Sequence, residues 1–355
     1  MNPQTNITFH KVAASNLTDL AEGISALHRE VGGDWRSPAF WRWAYGANPA
    51  GGTGSVVALR DGRVVGKLGN VYVRFAVKGE RVRAGLLEGF CVLPSERTWQ
   101  CTRGLILSCF AEDAEERFAF GYSFSTASAA QVSKRTGGVI LGRVPVFGGF
   151  INAARVLEGR GVPWPISLAG CPLHVVAGLK HRGSDDSGLT IRTIERFDGA
   201  FDELWAAAEK TRSVSAVRDA AYLNWRYLEC PDRSYTRAAA FRGEQLEGFA
   251  VFSSRPSRNT GYLLELQARG DNPQVLRVLL GQAIEALAKN GVGLVTASFP
   301  AGSAEAEALA KMGFQRWVSR LWNIQLVISK VHSRQIGPEL ALENWHFSLG
   351  DWLSY

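Results

Sequence analysis

Phe40-Trp41-Arg42-Trp43-Ala44-Tyr45, followed by Pro49, has a counterpart further along: Tyr222-Leu223-Asn224-Trp225-Arg226-Tyr227, followed by Pro231. Trp43 matches Trp225, Tyr45 matches Tyr227 and Pro49 matches Pro231, each pair 182 positions apart. The same offset of 182 joins Ala58 to Ala240, Arg60 to Arg242, Val64 to Leu246, Gly66 to Gly248 and, near each start, Thr8 to Thr190. Leu86-Leu87-Glu88 then matches Leu263-Leu264-Glu265 at 177, and Gly137 matches Gly313 at 176. An ungapped run that includes Trp and Gly, followed by small consistent shifts, marks an internal duplication. The chain therefore reads as two similar α/β units in tandem, each built on a mixed sheet.

The patterns around these anchors agree in both halves. Ile7–Val12 and Leu189–Ile194 alternate as strands do, and Asn16–Val31 and Ala200–Thr211 have the stripe of amphipathic helices. The Trp-x-Tyr segments are short helices that stop near Pro49 and Pro231. Val56–Arg60, a turn at Asp61-Gly62 and Val64–Phe75 make a hairpin, repeated by Ala238–Arg242 and Leu246–Ser253. Strand Ala84–Leu93, a helix near Arg103–Arg117, strand Phe118–Phe124 and helix Ser128–Thr136 follow. Their counterparts are Tyr262–Ala268, Pro273–Lys289, Leu294–Phe299 and Ser303–Met312. Gly137 and Gly313 fall where helix-ending glycines belong. Val139–Val146 and Gln315–Ile328 are the expected closing strands. Residues 1–146 form the first unit and 188–335 the second. The stretch 147–187, rich in Gly and Pro, reads as a connector, and 336–355 as a tail.

The chain has 355 residues, 46% of them hydrophobic and 21% charged, the balance of a folded protein with room for two cores. The net charge is +7, with no run of Lys or Arg to collect it. A scattered surplus of that kind suits an anionic ligand such as a nucleotide cofactor and gives no specific support for nucleic acid. Five cysteines without a CxxC pair fit neither a zinc site nor a disulfide framework, and the six histidines form no metal spacing. The first residues lack the basic end and apolar run of a signal peptide, and the apolar stretches are too short to span a bilayer. A cytoplasmic protein is the expectation. The oligomeric state is left open, a homodimer included.

The element order, with its three-strand meander between helices, resembles that of the GNAT (Gcn5-related N-acetyltransferase) superfamily, in two copies. Three stretches carry the likeness. The first is the Gly-containing hairpin, VVALRDGRVVGKLG and RAAAFRGEQLEGFAV. The second is FCVLPSERTWQCTRGL, similar to the family's strand ending in Val-x-Pro and its phosphate-binding loop opening a helix. The third is ALAKMGFQRW, of which SKRTGGVILGR is a weaker copy. Within the second stretch Arg97 stands at the family's Arg/Gln position, whereas Gln100 and Thr102 stand where Gly and Gly/Ala are usual. The second unit's equivalent, QARGDNPQVLRVLL, has no such motif, and Pro273 suits a plain helix start.

The resemblance implies an N-acyltransferase that takes acetyl-CoA or another acyl-CoA and acylates the primary amine of a small molecule, such as an amino sugar, amino acid or polyamine. It implies phosphate and pantetheine contacts from Val92, Arg97, Gln100, Cys101, Thr102 and Arg103, since amides at a helix start favour anions. Amine attack needs a base, and Glu88, inside the apolar LLEGF on the fourth strand, is the candidate. Tyr122 and Ser133 are the candidates for an acid that protonates the leaving thiolate. Ser123, Ser125 and Glu265 are the candidates for substrate contact. No metal is implied. Two other readings stay open: a Fem-like transferase taking aminoacyl groups from tRNA, and a non-catalytic acyl-CoA sensor or scaffold of the same fold.

Overall fold

The computed structural model describes residues 7–32, 36–111, 118–152, 156, 188–255, 259–317, 323–331 and 340–355. The first unit runs β1 (Thr8–Lys11), α1 (Leu17–Glu30), α2 (Pro38–Gly46), β2 (Val56–Arg60), β3 (Arg63–Val77), β4 (Glu80–Val92), α3 (Trp99–Cys109), β5 (Phe120–Thr126), α4 (Ala127–Arg135) and β6 (Val139–Arg143), and β7 (Val146–Phe150) follows. The second runs β8 (Thr190–Thr193), α5 (Gly199–Glu209), β9 (Val214–Ala216), α6 (Ala220–Tyr227), β10 (Thr236–Arg242), β11 (Gln245–Arg255), β12 (Thr260–Ala268), α7 (Pro273–Lys289), β13 (Leu294–Ala297), α8 (Ala304–Lys311), β14 (Gln315–Trp317) and β15 (Ile324–Val331). A two-residue β16 (Trp345–His346) lies in the tail and pairs with β9.

The local chemistry explains the boundaries. Ser37 caps α2 through Phe40 and Asp219 caps α6 through Tyr222, two more residues 182 apart. Asp61 and Gly62 both take positive φ, as the two-residue hairpin turn requires. Helix α3 begins at Trp99, four residues before the expected Arg103, because the Thr98 hydroxyl accepts the Cys101 N–H and starts it there. The far end of that expectation falls on 112–117, outside the described residues.

The first sheet has the order β1-β2-β3-β4-β5-β15-β6 and the second β8-β10-β11-β12-β13-β7-β14. Along these paths each is antiparallel apart from one central parallel pair, β4 with β5 and β12 with β13, and β9 joins the first sheet antiparallel to β3, with β16 parallel to it. Each sheet is therefore completed by a strand from the other unit. β15 lies between β5 and β6, and β7 lies between β13 and β14. The single closing strand expected in each unit is broken in two, and its second half crosses over. All of β7 but Val146 also falls within the stretch read as connector. Its composition misleads because Gly148 and Gly149 are packing residues. A Cβ on Gly148 would lie 2.1 Å from the Trp317 ring, and one on Gly149 2.9 Å from Phe314. The rest of the connector, 153–155 and 157–187, and the expected boundary at 335 lie outside the described residues.

The repeated Trp-x-Tyr helices meet each other. Trp43 and Trp225 stack with centroids 4.6 Å apart. The Trp43 indole donates to the Trp225 carbonyl at 2.9 Å, and the Trp225 indole returns the bond to the Trp43 carbonyl at 3.3 Å. Ion pairs Arg74–Asp219 and Arg81–Glu209 tie the units together further out. The tail runs between both units: Trp345 packs on Phe75, Phe120 and Tyr122, and Trp352 on Phe124. Among the described residues no helix is long and apolar enough to cross a membrane.

Candidate functional site

β4 and β5 pair only from Ala84–Phe120 to Leu86–Tyr122, so the two parallel strands part at Leu87. The notch they leave opens into a cleft of about 720 Å³. Glu88, Gly89, Phe90, Cys91 and Val92 of β4 form one wall, and Arg97, Thr98, Trp99 and Thr102 at the start of α3 form another. His28, Arg36, Trp41, Arg135 and Ser354 close the remainder. The ladder between β3 and β4 slips here. Glu88 faces Gly69 and Cys91 faces Lys67, which leaves Gly89 and Phe90 opposite the single residue Leu68. Such a bulge frees backbone groups from the ladder and re-aims the strand. Gly89 accommodates it at φ +60°, a conformation L side chains avoid.

Glu88 is half-buried, and its Oε1 is shielded from solvent without a hydrogen-bond partner. Behind it lies Lys67, fully buried, with Nζ 3.7 Å from the centre of the Trp41 ring and donating to the Tyr45 hydroxyl at 3.0 Å. Burial lowers the Lys67 pKa, partly countered by the Glu88 carboxylate. His28 stands 3.6 Å from the Cys91 thiol. Burial first, then the Lys67 and Arg36 cations, pushes its pKa down to about 3. His28 is therefore a neutral ring in this wall at ordinary pH. Burial likewise raises the thiol pKa of Cys91 and of Cys101, so neither is a ready thiolate.

The structure brings together Glu88, Val92, Arg97 and Thr102 of the residues singled out by sequence. Arg97 is fixed by a bond from its Nε to the Val92 carbonyl at 3.1 Å. Gln100 and Arg103 are exposed on α3 and Cys101 faces its buried side, all three outside the cleft lining. Gly104 packs on Phe9, where a Cβ would lie 2.0 Å from the ring, so it serves packing and not phosphate approach. Tyr122 is 1% exposed inside the aromatic core, Ser123 and Ser125 bond to each other at 2.8 Å, and Ser133 accepts the Gly138 N–H at the end of α4. None of these four lines the cleft.

Glu265 occupies the matching place in the second unit. It faces Val251, which is 182 positions from the Gly69 that faces Glu88. There the opening is filled. Residues Ser348–Asp351 of the tail pack on it, and Glu265 accepts bonds from Arg218, Tyr227 and Ser348. A Cβ on Gly350 would lie 2.5 Å from the Glu265 carboxylate. Glu265 is thus turned to holding the tail and does not reach the cleft. Sequence reasoning did not single out His28, Arg36, Lys67, Arg135 or Ser354. A lone lysine in the apolar strand VVGKLGNVYV and the 182 spacing of Arg36 to Arg218 were the available signals.

Comparison with known proteins finds no matching sequence family and no matching curated protein. Solved structures do match in fold. A probable N-acyltransferase of Enterococcus faecalis superposes with a TM-score of 0.62 at 12% identity, covering 94% of this chain and 74% of that one. A GCN5-related N-acetyltransferase from Anabaena variabilis gives 0.62 at 11%, covering 92% and 73%. Saccharomyces cerevisiae N-myristoyltransferase, solved with bound myristoyl-CoA, gives 0.63 at 12%, covering 92% and 80%. Two sheets of the same strand order, each with its parallel pair splayed beside an acidic residue, give this chain a duplicated fold similar to that of these acyltransferase structures.

Proposed function

We propose that the protein is an acyl-CoA-dependent N-acyltransferase, that the first unit is where transfer occurs, and that the acceptor is a primary amine of a small molecule. The observation that carries this reading is the contrast between the two notches. The one beside Glu88 opens into a cleft next to a helix start, and the one beside Glu265 is filled by the chain's own tail. The cleft has features that fit an acyl-CoA. Thr98, Trp99 and Thr102 present the start of α3, where backbone amides favour phosphate, and Arg97 and Arg135 add positive charge. Phe90 and Trp99, 43% and 55% exposed, offer apolar surface to a pantetheine or acyl chain.

An acyl-CoA supplies the activated acyl group: transfer forms an amide C–N bond, breaks the thioester C–S bond and releases the CoA thiol and a proton. The chain's residues do the rest. Glu88, whose Oε1 is without a partner, takes a proton from the acceptor's ammonium. The N–H groups of the Gly89–Phe90 bulge are the donors at hand for negative charge developing on an acyl oxygen. Lys67 and Tyr45 hold the floor beneath them.

Calorimetric titration with acetyl-CoA and longer acyl-CoAs, and a thiol-release assay against a panel of amines, test the reading. Glu88→Gln is expected to lower kcat by about 10²–10⁴-fold with acyl-CoA affinity nearly unchanged. Absence of binding to every acyl-CoA, or a Glu88→Gln variant as active as the parent, overturns it.

A further inference from the structure

Two positions distinguish the open notch from the filled one. Lys67 of β3 lies 182 positions before Phe249, and Gly89 of β4 lies 177 before Leu266, the offsets of the duplication around them. The registers agree. Lys67 stands two residues before Gly69, which faces Glu88, and Phe249 stands two before Val251, which faces Glu265. In the second unit both places are apolar. Phe249 is 1% exposed and meets Phe197 and Phe201 edge-on, and Leu266 is buried. An ammonium at this place in the sheet is therefore no requirement of the fold.

In the first unit the Lys67 ammonium is fully buried. It donates to the Tyr45 hydroxyl at 3.0 Å and sits 3.7 Å from the centre of the Trp41 ring. Among the described residues no carboxylate forms an ion pair with it. Glu88 acts on it as a nearby opposite charge, and Arg36 as a like one. A buried charge compensated only in part costs stability that an apolar side chain in its place does not. Its position accounts for its presence. A Cβ on Gly89 would lie 2.7 Å from Lys67 Nζ, so the ammonium fills the room left by the missing side chain, against the backbone of the bulge. Gly89 lines the cleft, and Oε1 of the adjoining Glu88 has no partner. Tyr227 donates to Glu265 in the second unit, whereas its counterpart Tyr45 is turned to Lys67. Away from water, a charge acts more strongly on its neighbours than it does in solution.

We propose that Lys67 is a positioning residue for the transfer: its ammonium, set against the Gly89–Phe90 bulge, supplies the positive potential that stabilises negative charge in the notch, on the Glu88 carboxylate before attack and on the acyl oxygen as it forms. Lys67 touches no reactant and acts through the bulge and Glu88. This rests on the transferase reading and adds to it the source of the field.

Lys67→Met keeps the length of the side chain and removes the charge. It is expected to fold with a urea midpoint no lower than the parent's, since the second unit carries an apolar residue at this place. Its acetyl-CoA affinity by calorimetry is expected to stay within about threefold of the parent's, while kcat in the thiol-release assay falls by about tenfold or more. Acetyl-CoA isotope-labelled at the carbonyl carbon adds a readout that a merely structural role does not move. Its bound carbonyl stretch, followed by infrared difference spectroscopy, is expected to lie below that of the free thioester in the parent and close to it in Lys67→Met. An unchanged kcat, or the same stretch in both proteins, overturns the proposal and leaves the transferase reading in place. If Lys67→Met does not fold, the parent decides: a bound stretch equal to that of free acetyl-CoA overturns the proposal, and a lowered one supports it. A parent that binds no acyl-CoA overturns both readings.

Discussion

Lys67 is an ammonium placed where water does not reach, and its surroundings show what such a charge requires. The Trp41 ring face, the Tyr45 hydroxyl and the nearby Glu88 carboxylate offset its desolvation. Tyr45→Phe removes one of these and leaves a buried donor short of an acceptor. The expected cost is about 1–3 kcal/mol, read as a lower urea midpoint at unchanged slope. His28 makes a second prediction, with a sign. Its pKa is about 3 in the folded chain against 6.5 for the free side chain, so between those values the unfolded chain binds the proton and the folded one does not. The stability associated with the neutral ring is complete above about pH 6.5 and is lost as pH falls toward about 3. His28→Gln is expected to flatten the stability-against-pH curve over that window, and an unchanged slope would contradict the assignment.

At the scale of elements, the tail behaves as a fixed part of the fold. Arg226, fully buried, donates to the carbonyls of Gly350, Trp352 and Tyr355 and to the Tyr235 hydroxyl. Arg226→Leu leaves these acceptors without their donor. It is expected to cost roughly 3–5 kcal/mol and to expose the tail to limited proteolysis near Phe347–Trp352. The sequence predicted most elements within a few residues because period, caps and turn glycines are local. The starts of α7 and the Asp61–Gly62 hairpin follow from Pro273 and from two positive-φ positions. The exchanged strands were not legible, because alternation in VFGGF specifies a strand and says nothing of which sheet receives it. Glu88 was legible through the duplication and its apolar setting. Arg36 was not, since the two residues after it, Ser37-Pro38, differ from Asp219-Ala220 and hide the match to Arg218. Tyr122 misled because a tyrosine on a central strand reads alike whether its ring faces a cleft or, as here, Trp345.

At the scale of the molecule, the exchange of β7 and β15 makes the two sheets depend on each other. Calorimetry is expected to show one unfolding transition, with a calorimetric-to-van't Hoff enthalpy ratio of about one. Residues 1–146 and 188–355 expressed apart are expected not to fold. Two separate peaks, or a folded fragment, would show the exchange to be dispensable. The same exchange also sets an order in time. As the chain leaves the ribosome, β5 and β6 are made long before the strand that joins them, since β15 follows β5 by about 200 residues. At the usual ~5–20 residues per second this is roughly 10–40 s of open strand edges beside the Glu88 notch. Newborn chains are thus exposed to edge-to-edge pairing with their neighbours until β15 has been made.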